Sequence, residues 1–290
     1  MNRYLAFFLA LVFASLTVSS ACVAQPSEWV QFTLEPERGS DRIHASFSDD
    51  NRGRHEHNWS SGFKPSELMG LDVAGFRAGG THQLRFATAR EAGRIDCSGN
   101  GGNSHATGNC RFATDPAFAR LLSSHGIAQP TREEAFGLIA LNVRGELINA
   151  VAAASYPTPS IDDLIALTAV GGDGRYITGL AHAGYRPQSI HGLVEFKALN
   201  ITPEWIGGFA RIGYANLPAH ELVQLRALDI SPDFVAGFDR AGYRRLPVST
   251  LVQFKAIGVT PQFAASARQH KGSVPSADEL VRMRVLGDRW

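Results

Sequence analysis

Few residues in this 290-residue chain stand at the spacings that chemistry requires. His220-Glu221-Leu222-Val223-Gln224 comes nearest. Two histidines one helical turn apart can share a zinc ion, with the glutamate between them activating its water. Gln224 stands where the second histidine would be needed, so the stretch reads as a helix surface. His55-Glu56-His57 is a second metal candidate, with His44, His82 or His105 to complete it. It lies close to Asp49, Asp50, Asn51, Arg52 and Arg54, the composition of a solvated hairpin loop, and the sequence names no full ligand set. Asp49-Asp50 and Asp162-Asp163 are only chain neighbours, whereas glycoside hydrolysis needs two carboxylates converging across a cleft. The run holding Gly99, Gly101, Gly102 and Gly108 has neither a phosphate-loop lysine nor the acidic residues of a calcium repeat, and reads as a hairpin connection. No Gly-x-Ser-x-Gly elbow occurs. No catalytic residue, metal site or cofactor is expected.

Cys97 and Cys110 flank that run. Without a Cys-x-x-Cys spacing they are expected to form a structural disulfide closing the Gly-rich loop, worth about 3 kcal/mol through loop closure. One polar feature has long-range order. Lys197, Arg226, Lys255 and Arg284 recur at one position of successive units, and Arg211 and Arg240 make a shorter second row. Regular stacking would align the four into a basic ridge, the candidate contact surface. The alternative is a set of solvated helix positions whose cations oppose the dipole near helix C-termini.

The carrier of these cations is a repeat. Tyr156, Tyr185, Tyr214 and Tyr243 are 29 residues apart, as are Leu164, Leu193, Leu222, Leu251 and Leu280. Pro203, Pro232 and Pro261 keep the same step, each after Thr202, Ser231 or Thr260. A fixed period of this length marks a stacked array whose units bury their apolar faces against one another. Six units fit between about Thr114 and Leu286. In the unit Ile201–Asp229, Thr202 caps a helix that Pro203 and Glu204 begin. Trp205, Ile206, Phe209 and Ile212 form its apolar stripe, and Gly213-Tyr214 ends it. A second helix starts near Ala219, with Leu222, Val223, Leu225 and Leu228 inward. Ser276 with Glu279 and Thr131 with Glu134 fit capping boxes. Gly145 and Gly174 replace the proline in units two and three. The first unit has Ile127 in place of the tyrosine and the last loses it at Lys271-Gly272, the divergence that capping end units require.

Before the repeats the pattern has period two. Trp29–Leu34, Ile43–Phe47, Leu84–Ala87, Ile95–Cys97 and Cys110–Phe112 read as strands, with one helical turn near Lys64–Gly70. At the N-terminus Met-Asn-Arg precedes an apolar run from Tyr4 to Val18 and a small-residue exit, the pattern of a secretory signal peptide over residues 1–24. Cleavage after Ala24 is expected, with Ala21 as the alternative. Cys22 offers lipidation as a further alternative, although Ser19 stands where the usual leucine would be. No later segment is long enough for a membrane span. Formal charge is +1, and removing Arg3 with the signal leaves 27 basic against 27 acidic side chains. No global field steers such a chain onto nucleic acid or an anionic membrane.

Ile201-Thr202-Pro203-Glu204-Trp205, then Gly213-Tyr214, then Leu222-Val223-Gln224-Leu225-Arg226 resembles the repeat unit of certain exported bacterial proteins. The same unit is found in extracytoplasmic regions appended to penicillin-sensing antirepressor membrane metallopeptidases. Ile230-Ser231-Pro232-Asp233-Phe234, Gly242-Tyr243 and Leu251-Val252-Gln253-Phe254-Lys255 match again. Trp59-Ser60-Ser61-Gly62-Phe63, Leu68-Met69-Gly70-Leu71, Arg90-Glu91-Ala92-Gly93 and Phe112–Phe118 resemble the segment that precedes such repeats. The resemblance implies export and structural repeats. It carries no peptidase activity, since the membrane helices and zinc motif are lacking.

The expected architecture is therefore α+β: a small antiparallel β domain over residues 25–113, then an α-solenoid of helix-hairpin repeats over residues 114–290. The expected function is a periplasmic or secreted, non-enzymatic binding or scaffold protein that contacts a protein or cell-envelope component through its repeat face. The rival is an envelope hydrolase with a β-domain metal held by His55 and His57.

Overall fold

The computed structural model describes residues 30–48 and 58–287. The signal-like segment, Cys22, His55-Glu56-His57 and Asp49-Asp50 lie outside the described residues.

Period-two alternation in the N-terminal part builds a six-stranded antiparallel sheet. Its strands are β1 (Val30–Pro36), β2 (Ile43–Ser48), β3 (Asn58–Phe63), β4 (His82–Arg90), β5 (Gly93–Gly102) and β6 (His105–Thr114), ordered β3-β2-β1-β6-β5-β4. Val30, Phe32 and Leu34 point inward from β1, opposite Phe47 and Ala45 of β2, as a pleat with one buried face requires. Phe32 meets Phe86 edge to face, ring centres 5.0 Å apart. A 3-10 turn at Pro65–Glu67 and a short helix α1 (Val73–Arg77), capped by Asp72, connect β3 to β4.

The Gly-rich run is a strand, contrary to the hairpin-loop expectation. β5 continues through Gly102, and only Asn103 and Ser104 turn the chain, both at positive φ. Glycine is required there by proximity: a Cβ on Gly99 would collide with the Thr107 carbonyl, and one on Gly108 with that of Ser98. The Cys97–Cys110 disulfide is formed, and it joins directly opposed residues of β5 and β6. Strand β3 and helix α1 have no counterpart in the sequence reading. β3 is a polar edge strand, Asn-Trp-Ser-Ser-Gly-Phe, without the apolar alternation that marks a strand.

From Pro116 onward the helices pair into hairpins: α2 (Pro116–Ser124) with α3 (Arg132–Ala140), α4 (Gly145–Ala153) with α5 (Ile161–Ala169), and α6 (Gly174–His182) with α7 (Ile190–Ala198). Then follow α8 (Pro203–Arg211) with α9 (Ala219–Ala227), α10 (Pro232–Ala241) with α11 (Val248–Ile257), and α12 (Pro261–Lys271) with α13 (Ala277–Leu286). The molecule is thus α+β. Local chemistry sets the helix ends. Thr202, Ser231 and Thr260 accept the amides of Trp205, Phe234 and Phe263 at 3.1–3.2 Å. Gly213 and Gly242 take positive φ, and the amides of Tyr214 and Tyr243 return to the carbonyls of Phe209 and Phe238. Thr131–Glu134 and Ser276–Glu279 are capping boxes, and Ser160–Asp163 is a third.

First helices pack on first helices, α2 on α4 through to α10 on α12, while α3 packs on α5, α5 on α7, α9 on α11 and α11 on α13. The result is a two-layer stack. Its first unit docks on the sheet through α3, whose Phe136 ring meets Phe47, Trp59 and Phe112 at 5.1–5.4 Å. Register within the first layer is set by complementary sizes. Pro232 Cγ would lie 2.8 Å from a Cβ on Gly208, Pro261 Cγ 2.7 Å from one on Gly237, and Pro203 Cγ 3.0 Å from one on Gly179. Where the proline is absent the sizes are exchanged. Gly174 faces Ala150, and Gly145 faces Leu121. A close-packed interface admits the large residue on one side only.

Candidate functional site

Each cation of the ridge lies over the aromatic ring of its own hairpin's first helix. Lys197 Nζ is 4.7 Å from the Tyr176 ring centre, Arg226 Cζ 5.6 Å from Trp205, Lys255 Nζ 5.1 Å from Phe234, and Arg284 Cζ 5.6 Å from Phe263. Three of them then reach backward to the preceding unit. Arg226 Nε donates to the Leu199 carbonyl at 2.8 Å, Lys255 Nζ to Asp229 at 2.9 Å, and Arg284 Nε to Ile257 at 3.2 Å. These carbonyls close α7, α9 and α11, where the dipole is negative and acceptors lack intrahelical partners. Arg226, Lys255 and Arg284 therefore meet the negative end of a neighbouring helix while standing in the last turn of their own.

Thr168 breaks the series in the second unit, and its hydroxyl is buried with no hydrogen-bond partner among the described residues. The end of α3 is met from the sheet instead. Arg90, the last residue of β4, stacks 4.6 Å over the Phe63 ring and donates Nη1 to the Ala140 carbonyl at 3.2 Å. Burial pushes its guanidinium down from the ordinary arginine value. The next residue, Glu91, accepts the Gly145 amide at 2.7 Å and pairs with Arg144 at 3.6 Å. α4 has no side-chain cap of its own, so Glu91 supplies one. Adjacent residues of opposite sign thus meet the negative end of α3 and the positive end of α4. Sequence reasoning missed this junction, although Thr168 in place of a cation signalled that a substitute was needed.

Three tyrosines pin one unit to the next, whereas the buried Tyr243 hydroxyl has no hydrogen-bond partner among the described residues. Tyr214 donates its hydroxyl to the Leu246 carbonyl at 2.8 Å, and Tyr185 reaches that of Leu217. Tyr176, on the first helix, donates to Ile201 at 2.9 Å. Burial, with Asp239 nearby, pushes Tyr214 up to about 12, and burial with Glu279 does the same to Tyr243.

Arg211 and Arg240 differ from the ridge. Both are exposed at the C-terminal ends of α8 and α10, and neither makes an ion pair or hydrogen bond with another described residue. Arg240 stands where three surface hollows meet. One, of about 580 Å³, is lined by Ile212, Gly213, Asp239, Arg244 and Arg245; another, of about 380 Å³, adjoins Arg268. The third, about 580 Å³, opens beside Phe234 and Lys255.

The histidines are scattered. His44 and His105 flank Glu35 across β2, β1 and β6, with His105 Nδ1 at 3.4 Å from the carboxylate. His82 bonds to the Gly79 carbonyl, and His220 and Gln224 are exposed on α9. Asp163 is occupied in its capping box. Among the described residues no three His, Cys, Asp or Glu side chains are placed to hold a metal ion. No single helix among them is long and apolar enough to cross a membrane. A scan of protein-family models and a search of curated proteins both find no match to this chain.

Proposed function

We propose that this is an exported, non-enzymatic binding or scaffold protein whose helical array contacts a protein or cell-envelope component outside the cytoplasm. One observation carries the reading: the array satisfies its own helix ends with one set of cations and leaves a second set, Arg211 and Arg240, unengaged on its surface. Exposed groups that do nothing for the stack are free to meet a partner. The Cys97–Cys110 bridge suits an oxidising compartment. The signal-like N-terminus and the resemblance to exported repeat proteins argue for the same place.

The test is sedimentation of the purified protein with washed envelopes of the native cell. Saturable, salt-sensitive association that the double variant Arg211→Glu/Arg240→Glu loses is expected. Absence of saturable association by the unaltered protein, or release of soluble products from the envelopes, would overturn the reading.

A further inference from the structure

We propose that the surface around Arg240 is a docking site for an extended acidic peptide segment, presenting carboxylates at every third residue. This rests on the binding reading above and names the chemistry of the partner. Three guanidinium groups line one hollow there: Arg240 at the end of α10, and Arg244 and Arg245 in the loop that follows it. Arg211 stands at the end of α8, next in the chain to Ile212 and Gly213 of the same lining. All four are exposed; Asp239 lines the hollow that Arg240, Arg244 and Arg245 share, and Asp233 lines the one on the Lys255 side of Arg240. An arginine fork matches the two oxygens of a carboxylate, and the four arginines outnumber the two acids, which leaves the patch positive.

Backbone geometry supplies an independent observation. Arg245 holds φ at +50°, a left-handed conformation that disfavours any side chain bulkier than glycine, asparagine or aspartate. The corresponding residue one unit earlier is Asn216, at φ +57°, which suits that conformation. Every other non-glycine residue at positive φ among the described residues is Asn, Asp or Ser. Stacking does not ask for arginine here, since the loop is already tied down by the Tyr214 hydroxyl on the Leu246 carbonyl. Conformational strain retained at an exposed cation points to a use for the charge.

Spacing selects the peptide. Arg211 and Arg240 are equivalent residues on packed neighbouring helices, whose axes lie about 8–10 Å apart by general helix geometry. A polyproline-II chain has three residues per turn and rises about 3.1 Å per residue, so one face recurs every ~9 Å. Acidic segments repel themselves into such extended forms. Two carboxylates one turn apart therefore meet Arg211 and Arg240, and the hollows on either side of Arg240 receive the intervening side chains.

The experiment titrates the full chain into a fluorescent peptide of Glu-Pro-Ala triplets and its Gln-Pro-Ala counterpart, followed by polarisation. Saturable, salt-sensitive binding of the Glu peptide alone is expected. Arg240→Glu and Arg245→Asn should each weaken it at least about tenfold, and Arg175→Glu, on α6 away from the patch, by less than about twofold. Arg245→Asn should also keep or raise the urea midpoint, because asparagine suits the left-handed site. Equal binding of both peptides, unchanged binding by the two patch variants, an equal loss in Arg175→Glu, or a lowered midpoint in Arg245→Asn would overturn the proposal. So would stronger competition by a polyuronate than by the free Glu peptide, which would make the ligand a glycan. Retention on envelopes without peptide binding sinks this inference alone; loss of both sinks the proposed function with it.

Discussion

At the scale of single residues, the array depends on size matching across each inter-unit seam. Glycine inside a helix costs about 1 kcal/mol relative to alanine, so on propensity alone Gly208→Ala should stabilise the protein. The structure reverses that sign. A Cβ at Gly208 would sit 2.8 Å from the rigid Pro232 ring, and overpacking of this kind costs about 1–3 kcal/mol. Ser266 occupies the corresponding place in the last unit and is exposed, so Ser266→Ala serves as the control. Urea unfolding should show a lower midpoint for Gly208→Ala and an unchanged or higher one for Ser266→Ala; a raised midpoint in Gly208→Ala would refute the seam. The glycines and prolines were each visible in the sequence. Their partnership was not, because Gly179 and Pro203 belong to different units and only stacking brings them together. For the same reason the ridge could be aligned from sequence but not explained: the acceptors of Arg226 and Lys255 are backbone carbonyls of another helix, which no side-chain pattern reveals.

At the scale of elements, most helix starts were legible because caps are local. Thr202-Pro203, Ser231-Pro232 and Ser276–Glu279 read directly as N-termini, and the structure uses each. Strand β3 was illegible because an edge strand with serines and a glycine carries no alternation. β5 was read short because its glycines, which permit close strand approach, are also turn formers. The final hairpin makes a pH prediction. Hydrogen bonds from Lys271, and then from the Ser276 amide, hold the Glu279 carboxyl down at about 2. A depressed folded value means that its contribution is present above the unfolded value of about 4.3 and is lost as pH falls toward about 2. The protection of α13 amides, taken relative to intrinsic exchange rates at each pH, should therefore fall across that window. Glu279→Gln should abolish the dependence while leaving the sheet unaffected, and an unchanged acid response in that variant would show that another group is responsible.

For the whole molecule, two couplings matter: sheet to array, and unit to unit. Arg90 and Glu91 provide the first, since they terminate α3 and start α4 from a strand end. Arg90→Met keeps the packing over Phe63 and removes a charged hydrogen bond, so a loss of about 1.5–3 kcal/mol is expected. It should also separate the thermal unfolding of the sheet from that of the helices, followed by near- and far-ultraviolet circular dichroism. Coincident transitions with an unchanged midpoint would mean that the junction contributes little. The second coupling is tested by excising one interior period. Deleting residues 202–230 removes 29 residues and joins Ile201 to Ser231. If each unit is completed only by its neighbours, the shortened chain realigns Gly179 with Pro232, Tyr185 with Leu246, and Lys255 with Leu199. Urea unfolding of this variant should then remain a single cooperative transition, with helical signal reduced in proportion to the residues removed. A non-cooperative or molten chain would contradict the stacked array on which the account is built.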